Sequence, residues 1–256
     1  MVEAKILEVG DLHLSFGGVK AIDGVSFEVN MEEIFSIIGP NGAGKTSVIN
    51  CINGFYKPER GRIYFDGKDI TKKKPHQIAK LGISRTFQGI EIYPSMTVLD
   101  NIMSGRHLKM SSNLLLCMLF MGPAKREEIH NREIVEEIID FLHLQPYRKV
   151  PAGALPIGIQ KRAALGRALA LEPKLLLLDE PMAGMSIEEK EDLARYIIDS
   201  NEERRITVLL VEHDLSVVKD LSHRIIVMDY GKKIAEGSGD EVMKNKKVVK
   251  AYIGEA

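Results

Sequence analysis

Apolar and polar residues alternate from Lys5 to Phe16 (KILEVGDLHLSF) and from Val25 to Asn30 (VSFEVN), the period of half-buried strands. A short apolar run, Glu33 to Ile38 (EIFSII), stops at Gly39-Pro40, and a helical segment begins at Lys45. Gly61 to Ile70 (GRIYFDGKDI) reads as a strand with a turn at Asp66-Gly67. From Pro75 onward helix dominates. In Arg132 to Leu144 the apolar residues Ile134, Val135, Ile138, Ile139 and Leu142 fall on one helical face. Ala152 to Leu169 (AGALPIGIQKRAALGRAL) starts as loop and turns helical, with Ala163, Ala164, Leu165, Ala168 and Leu169 at roughly helical spacing.

The second half changes character. Lys174 to Pro181 (KLLLLDEP) is a leucine run closed by proline, the pattern of a strand buried on both faces. A helix over Ser186 to Ser200 leads to another buried strand, Ile206 to His213 (ITVLLVEH). Arg224 to Gly237 (RIIVMDYGKKIAEG) reads as strand, turn at Gly231, strand, and a short helix ends the chain. Buried strands alternating with helices predict an α/β fold with a mainly parallel core.

Composition narrows the function classes. The 256 residues suffice for a sizeable core, and 35 Lys+Arg against 36 Asp+Glu leave a net charge of −1, with no general attraction to nucleic acid or acidic lipid. Cys51 and Cys117 both lie in apolar sequence and read as buried thiols of a reducing compartment. The charged N-terminus lacks the apolar core of a signal peptide, so a cytoplasmic protein is expected. The longest apolar run, Leu114 to Met121 (LLLCMLFM), is far short of the roughly 20 residues of a membrane span.

Two segments carry chemistry. Gly39 to Ser47 (GPNGAGKTS) fits G-x-x-x-x-G-K-[ST], with a buried strand before it and a helix after. Glycines in such a loop let backbone N–H groups face phosphate oxygens; Lys45 reaches the β- and γ-phosphates, and the Thr46 hydroxyl can ligate Mg²⁺. At the end of the leucine strand, Asp179 is suited to hold Mg²⁺ or its water, and Glu180 to polarise a water toward the γ-phosphate. A Pro-Gly entry to the helix near Gly158 leaves two readings open, an ordinary helix start or an anion site made of free N–H groups.

Over essentially its whole length the chain resembles the nucleotide-binding subunit of an ATP-binding cassette (ABC) transporter. GPNGAGKT resembles its Walker A motif and LLLLDEP its Walker B motif. RTFQ resembles the segment of the Q-loop glutamine, here Gln88, and LLVEHDL that of the switch histidine, here His213. LSFGG puts Phe16 where the family stacks an aromatic on adenine, and Leu155 to Gln160 (LPIGIQ) stands in place of the family signature.

The resemblance implies a P-loop nucleotide-binding core with a mainly parallel sheet, an N-terminal antiparallel β part and an inserted helical subdomain. Core residues would be 1–88 and 172–256, and the helical subdomain 89–171, within one ABC ATPase domain. It also implies a site set. Phe16, Gly39, Asn41, Gly42, Ala43, Gly44, Lys45, Thr46, Ser47, Pro156, Ile157 and Gly158 would bind ATP; Thr46, Gln88 and Asp179 would hold Mg²⁺; and Glu180, His213 and Gln88 would carry the hydrolysis.

Longer segments, among them PHQIAKLGISRTFQGIEIYPSMTVLDNI and VMDYGKKIAEG, resemble the ATPase subunits of branched-chain amino-acid importers. That implies a second ATPase subunit, as homodimer or heterodimer, two membrane permeases and, indirectly, a substrate-binding protein, with this chain peripheral on the cytoplasmic face of the membrane. Two departures bear on turnover rather than on nucleotide binding. Pro156 and Ile159 replace the usual signature serine and glutamine, and Ser186 stands where the family has Asp or Asn. The same motifs would serve a lipid or lipopolysaccharide exporter, or an assembly module with little turnover. The run 114–121 reads either as core or as a docking face for a permease.

Overall fold

The computed structural model describes residues 4–86, 92–110, 123–213 and 215–253. The expectations for Gln88 and for 114–121 lie outside the described residues. Strands β1 (Lys5–Phe16) and β2 (Val19–Asn30) form a hairpin through Gly17-Gly18, both at positive φ. With β4 (Arg60–Phe65) and β5 (Lys68–Asp69) they make an antiparallel sheet in the order β2-β1-β4-β5.

The second sheet has the order β10-β9-β3-β8-β7-β6, from β3 (Ile34–Ile38), β6 (Ile83–Thr86), β7 (Leu175–Asp179), β8 (Thr207–Val211), β9 (Arg224–Asp229) and β10 (Lys232–Gly237). All its neighbours are parallel except the β9–β10 pair. The next strand of this sheet along the chain, β6, joins its far edge, and the chain later returns to both sides of β3. The carboxyl end of β3 is therefore a topological switch point, where α/β folds open a ligand crevice.

The helices are α1 (Lys45–Ile52), α2 (Pro75–Lys80), α3 (Val98–Ser104), α4 (Pro123–Phe141), α5 (Ile157–Leu169), α6 (Ile187–Glu202), α7 (Leu215–Leu221), α8 (Gly239–Lys244) and α9 (Lys246–Ile253). Every residue of β3, β7 and β8 is buried, and the pleat splits them between two apolar clusters. Phe35, Ile37, Leu175, Leu177, Leu209 and Val211 face the first sheet and α1; Ile34, Ile38, Leu176, Leu178, Val208 and Leu210 face α3–α6.

Three details differ from the sequence expectation. Ile83–Thr86 is an edge strand inside the stretch read as helical, paired in parallel with Leu175–Leu178. Its four residues are too few to show a period. The short helix α7 had no sequence reading, and two helices, not one, follow β10.

A buried arginine ties the helical region together. The Arg106 side chain donates from Nε to Asn131 Oδ1 (2.9 Å) on α4, and from Nη1 to Ala170 O (2.8 Å) and Glu172 Oε2 (2.6 Å) just past α5. Arg106→Met strands the buried acceptors of Asn131 and Ala170 and should lower the unfolding free energy by about 1–3 kcal/mol in urea titrations. Glu172→Gln should cost no more than about 1 kcal/mol, because that carboxylate is half exposed and its ion pair is screened.

Candidate nucleotide site at the switch point

The residues Gly39 to Thr46 bridge the end of β3 and the start of α1. Gly39 (φ 152°) and Gly44 (φ 98°) are the two positions where backbone approach demands glycine. A methyl on Gly39 would lie 2.1 Å from the Met228 carbonyl oxygen, and one on Gly44 2.1 Å from that of Ala21. Asn41 and Gly42 are exposed at the crest, while Ala43 is buried beneath. A backbone relay holds the loop from below: Gly231 N–H donates to Ala43 O (3.0 Å), and Asp23 N–H to Gly231 O (2.8 Å). Lys45 folds over its own loop, its ammonium donating to Gly39 O (2.8 Å) and Pro40 O (3.1 Å). Burial lowers its pKa, against the opposing pull of Glu180, Asp179 and Glu212. Ser47 follows, half buried, in the first turn of α1.

Parallel register brings the acidic groups to the same edge. Ile37 and Asp179 both pair with Val211, so the ends of β3, β7 and β8 align. Asp179 is fully buried. Its Oδ1 accepts a long hydrogen bond from Thr46 Oγ1 (3.4 Å), and its Oδ2 accepts from Arg85 Nη2 (2.8 Å). Burial pushes the Asp179 carboxyl up, and Arg85 pulls it back. Thr46 and Asp179 therefore present two hard oxygens side by side, a donor set that suits Mg²⁺ sharing its sphere with phosphate and water. Among the described residues no cluster of three or more His, Cys, Asp and Glu is placed to hold a metal ion.

Glu180 follows in a left-handed conformation (φ 47°), its N–H bound to Val211 O (2.9 Å). Next to it stands Glu212, a residue the sequence reading passed over in favour of its neighbour. It is buried, accepts from Met182 N–H (3.0 Å) and His213 N–H (3.4 Å), and has its carboxyl pushed up by burial. Glu212 joins the loop after Glu180 to the loop of His213. The signal for it was there: like Asp179, it ends a buried strand. The His213 ring is half exposed, with Nδ1 3.8 Å from Glu212 Oε2.

The Phe16 ring, 46% exposed, sits at the tip of the β1–β2 hairpin and packs edge-on against Tyr56 at 5.0 Å. The same hairpin supplies the Ala21 carbonyl that abuts Gly44. One exposed aromatic thus stands on the hairpin that abuts the phosphate loop.

The stretch 155–160 leads into α5. Pro156 caps α5, and the first intrahelical bond is Gln160 N–H to Pro156 O (3.0 Å), so the N–H groups of the first turn lie ahead of the helical ladder. Pro156 and Ile157 are exposed. Gly158 is buried, and a methyl there would lie 2.4 Å from Glu189 Oε1 of the same chain. Its lack of a side chain thus serves a contact with α6, which the sequence reading did not anticipate. Lys161, one turn on, donates to Pro181 O (2.7 Å) and to Ala183 O, fastening α5 to the loop after Glu180.

Residues 22–183 match the family model described as ABC transporter, and residues 232–256 one described as branched-chain amino acid ATP-binding cassette transporter. The chain is 39% identical over 252 residues, 98% of each chain, to the high-affinity branched-chain amino acid transport ATP-binding protein BraF of Pseudomonas aeruginosa. A crystal structure of a nucleotide-free ATP-binding cassette from an ABC transporter superposes with a TM-score of 0.85 at 37% identity, covering 98% of this chain and 100% of that one. A dimeric cassette in a post-hydrolysis state, bound to ADP and Pi, superposes at 0.76 with 25% identity, over 91% of this chain and 98% of that one.

The contact at Gly158 makes a stability prediction. Glu189 forms a capping box with Ser186, accepting from Ser186 N–H (3.0 Å) while Ser186 Oγ accepts from Glu189 N–H (3.2 Å). Gly158→Ala must displace that carboxylate, and losing the cap should cost about 0.5–2 kcal/mol. Ser186→Ala should cost a similar amount alone and little more when added to Gly158→Ala. Strictly additive losses in urea unfolding would mean that Glu189 moves aside with the cap intact.

Proposed function

The chain belongs to the ATP-binding cassette family of ABC transporter subunits, and from that premise we propose that it hydrolyses ATP to power import of branched-chain amino acids. The observation that carries this reading is the convergence of Lys45, Thr46, Asp179 and Glu180 at the ends of β3 and β7, beside a loop that only glycine can follow. BraF and the match at 232–256 supply the substrate class.

In this mechanism the N–H groups of 39–46 and the Lys45 ammonium bind the phosphates of ATP, and Phe16 stacks on adenine. Lys45 exchanges its two loop carbonyls for phosphate oxygens, a trade of neutral acceptors for charged ones. Thr46 and Asp179 would hold Mg²⁺, with Gln88 as a further ligand, and the ion would supply charge compensation to the β- and γ-phosphates. Glu180 accepts a proton from the attacking water, and His213 steadies the γ-phosphate. A second copy or a related ATPase supplies Pro156, Ile157 and the first-turn N–H groups of α5 to the γ-phosphate, so two chains enclose each nucleotide. The exposure of Pro156 and Ile157 supports that role.

Two permeases and a substrate-binding protein complete the transporter, with this chain on the cytoplasmic face of the membrane. Among the described residues no helix is long and apolar enough to cross it. We assign permease docking to a cleft of 370 Å³ lined by Phe55, His76, Arg85, Tyr93, Ser104 and His107. The half-exposed Tyr93 at its rim is held by buried Asn101, which accepts from Tyr93 N–H (2.7 Å) and donates to Tyr93 O (3.0 Å).

Lys45→Ala should weaken ATP binding by about 1.5–3 kcal/mol in calorimetry, the range for a hydrogen bond to a charged group. Glu180→Gln should bind ATP normally, hydrolyse it at least about 10²-fold more slowly, and accumulate as a nucleotide-bound dimer. With its permeases and binding protein in liposomes, the parent should drive leucine uptake with ATP on its own side, and Glu180→Gln should not. Tyr93→Cys should form a cross-link to a permease; its absence would move the docking site elsewhere.

A further inference from the structure

Arg85 belongs to two places at once. It lines the cleft assigned above to the permease. Its guanidinium, 5% exposed, also donates from Nη2 to Asp179 Oδ2 (2.8 Å) and from Nη1 to Asn50 Oδ1 (2.6 Å) in the last turns of α1. It sits on β6, one strand outward from β7, level with Leu177. Arg85 thus lies between the cleft it lines and the carboxylate at the end of the neighbouring strand.

The carboxylate needs such a partner. An ionised Asp179 with no exposed surface is costly unless a cation and hydrogen bonds compensate it. Arg85 supplies both on the Oδ2 side. That leaves Oδ1 as the oxygen beside Thr46 Oγ1, where the metal set converges. A two-armed guanidinium anchored at Asn50 also fixes the plane of the carboxylate, as outer partners of metal ligands do.

We propose that Arg85 is the positioning residue for the metal carboxylate and the physical link from the permease cleft to the nucleotide site: it presents Asp179 Oδ1 to Mg²⁺, and a permease segment seated in the cleft alters metal affinity by shifting the guanidinium. The second half rests on the docking assignment. The first half stands on the hydrogen bonds alone.

The test separates metal from nucleotide. Mn²⁺ serves as the probe, read by its paramagnetic resonance in the presence of a non-hydrolysable ATP analogue, and affinity for the analogue is measured separately in EDTA. Arg85→Gln should weaken Mn²⁺ binding by about 10- to 100-fold, with analogue binding in EDTA unchanged. Arg85→Lys, which keeps the charge but not the fork, should fall between that variant and the parent. Asn50→Leu, which removes only the second anchor, should lose less in the same direction, and it decides the matter if Arg85→Gln fails to fold. Parent-like Mn²⁺ affinity in the folded variants, or equal losses of metal and metal-free analogue binding, would overturn the positioning role.

For the link, Mn²⁺ affinity is compared between the isolated chain and the chain assembled with its permeases in nanodiscs. The parent should show a difference that Arg85→Lys abolishes. If Tyr93→Cys cross-links to the permease and Arg85→Lys keeps the parent's difference, the link is wrong and the docking assignment stands. If the cross-link never forms, the docking assignment and the link fall together, while the metal measurements on the isolated chain still decide the positioning role.

Discussion

Burial of β3, β7 and β8 on both faces is the constraint on which the molecule turns. A strand covered on each side by apolar clusters has nowhere along its length to carry a charge. Polar chemistry is confined to the strand ends, and parallel register sets those ends level. The phosphate loop, Asp179, Glu180, Glu212 and His213 are together because five-residue strands of equal length stop at one line. The clusters that enforce this reach in opposite directions, one into the antiparallel sheet and α1, the other into α3–α6. The nucleotide edge is thus braced from both halves of the molecule.

What the sequence disclosed follows the range of the interactions. The phosphate loop is local: glycine positions, lysine and threonine lie within one turn, and the φ values and close carbonyls at Gly39 and Gly44 accord with that reading. Asp179 stood out at the end of the leucine run, and it read as a metal residue only together with the phosphate loop, because Asp-Glu-Pro by itself is also ordinary loop chemistry. The strand Ile83–Thr86 was not, since Ile-Ser-Arg-Thr carries no period and is defined by its pairing with Leu175–Leu178. Arg85 escaped notice for the same reason, its partner Asp179 being 94 residues away. Gly158 shows the converse. It looked like part of a phosphate cap, and within its own chain it answers to a carboxylate on α6 that no local pattern reveals.

The charges form one connected set. Asp179, Glu180 and Glu212 act on Lys45; Glu180 and Glu212 also act on Lys161, on the helix that starts at the signature stretch. Both ammonium groups are disfavoured by burial and sustained by the same carboxylates. The lysine of the phosphate loop and the lysine that fastens α5 therefore share an electrostatic environment. A change of charge at Glu180 is felt by Lys161 on α5 as well as by Lys45 in the phosphate loop.

The relay from Asp23 through Gly231 to Ala43 has a consequence for biosynthesis. The phosphate loop lies early in the chain, yet the backbone group that supports it from below belongs to the turn between β9 and β10, and the Met228 carbonyl that presses on Gly39 belongs to β9. A nascent chain emerging from the ribosome has its nucleotide loop long before it has that support. Until β9 inserts beside β3, the loop lacks these backbone contacts, and its glycines are free to wander. Competence to hold ATP in the native geometry therefore arrives late in translation, with the strand that pairs with β3 on the side away from β8.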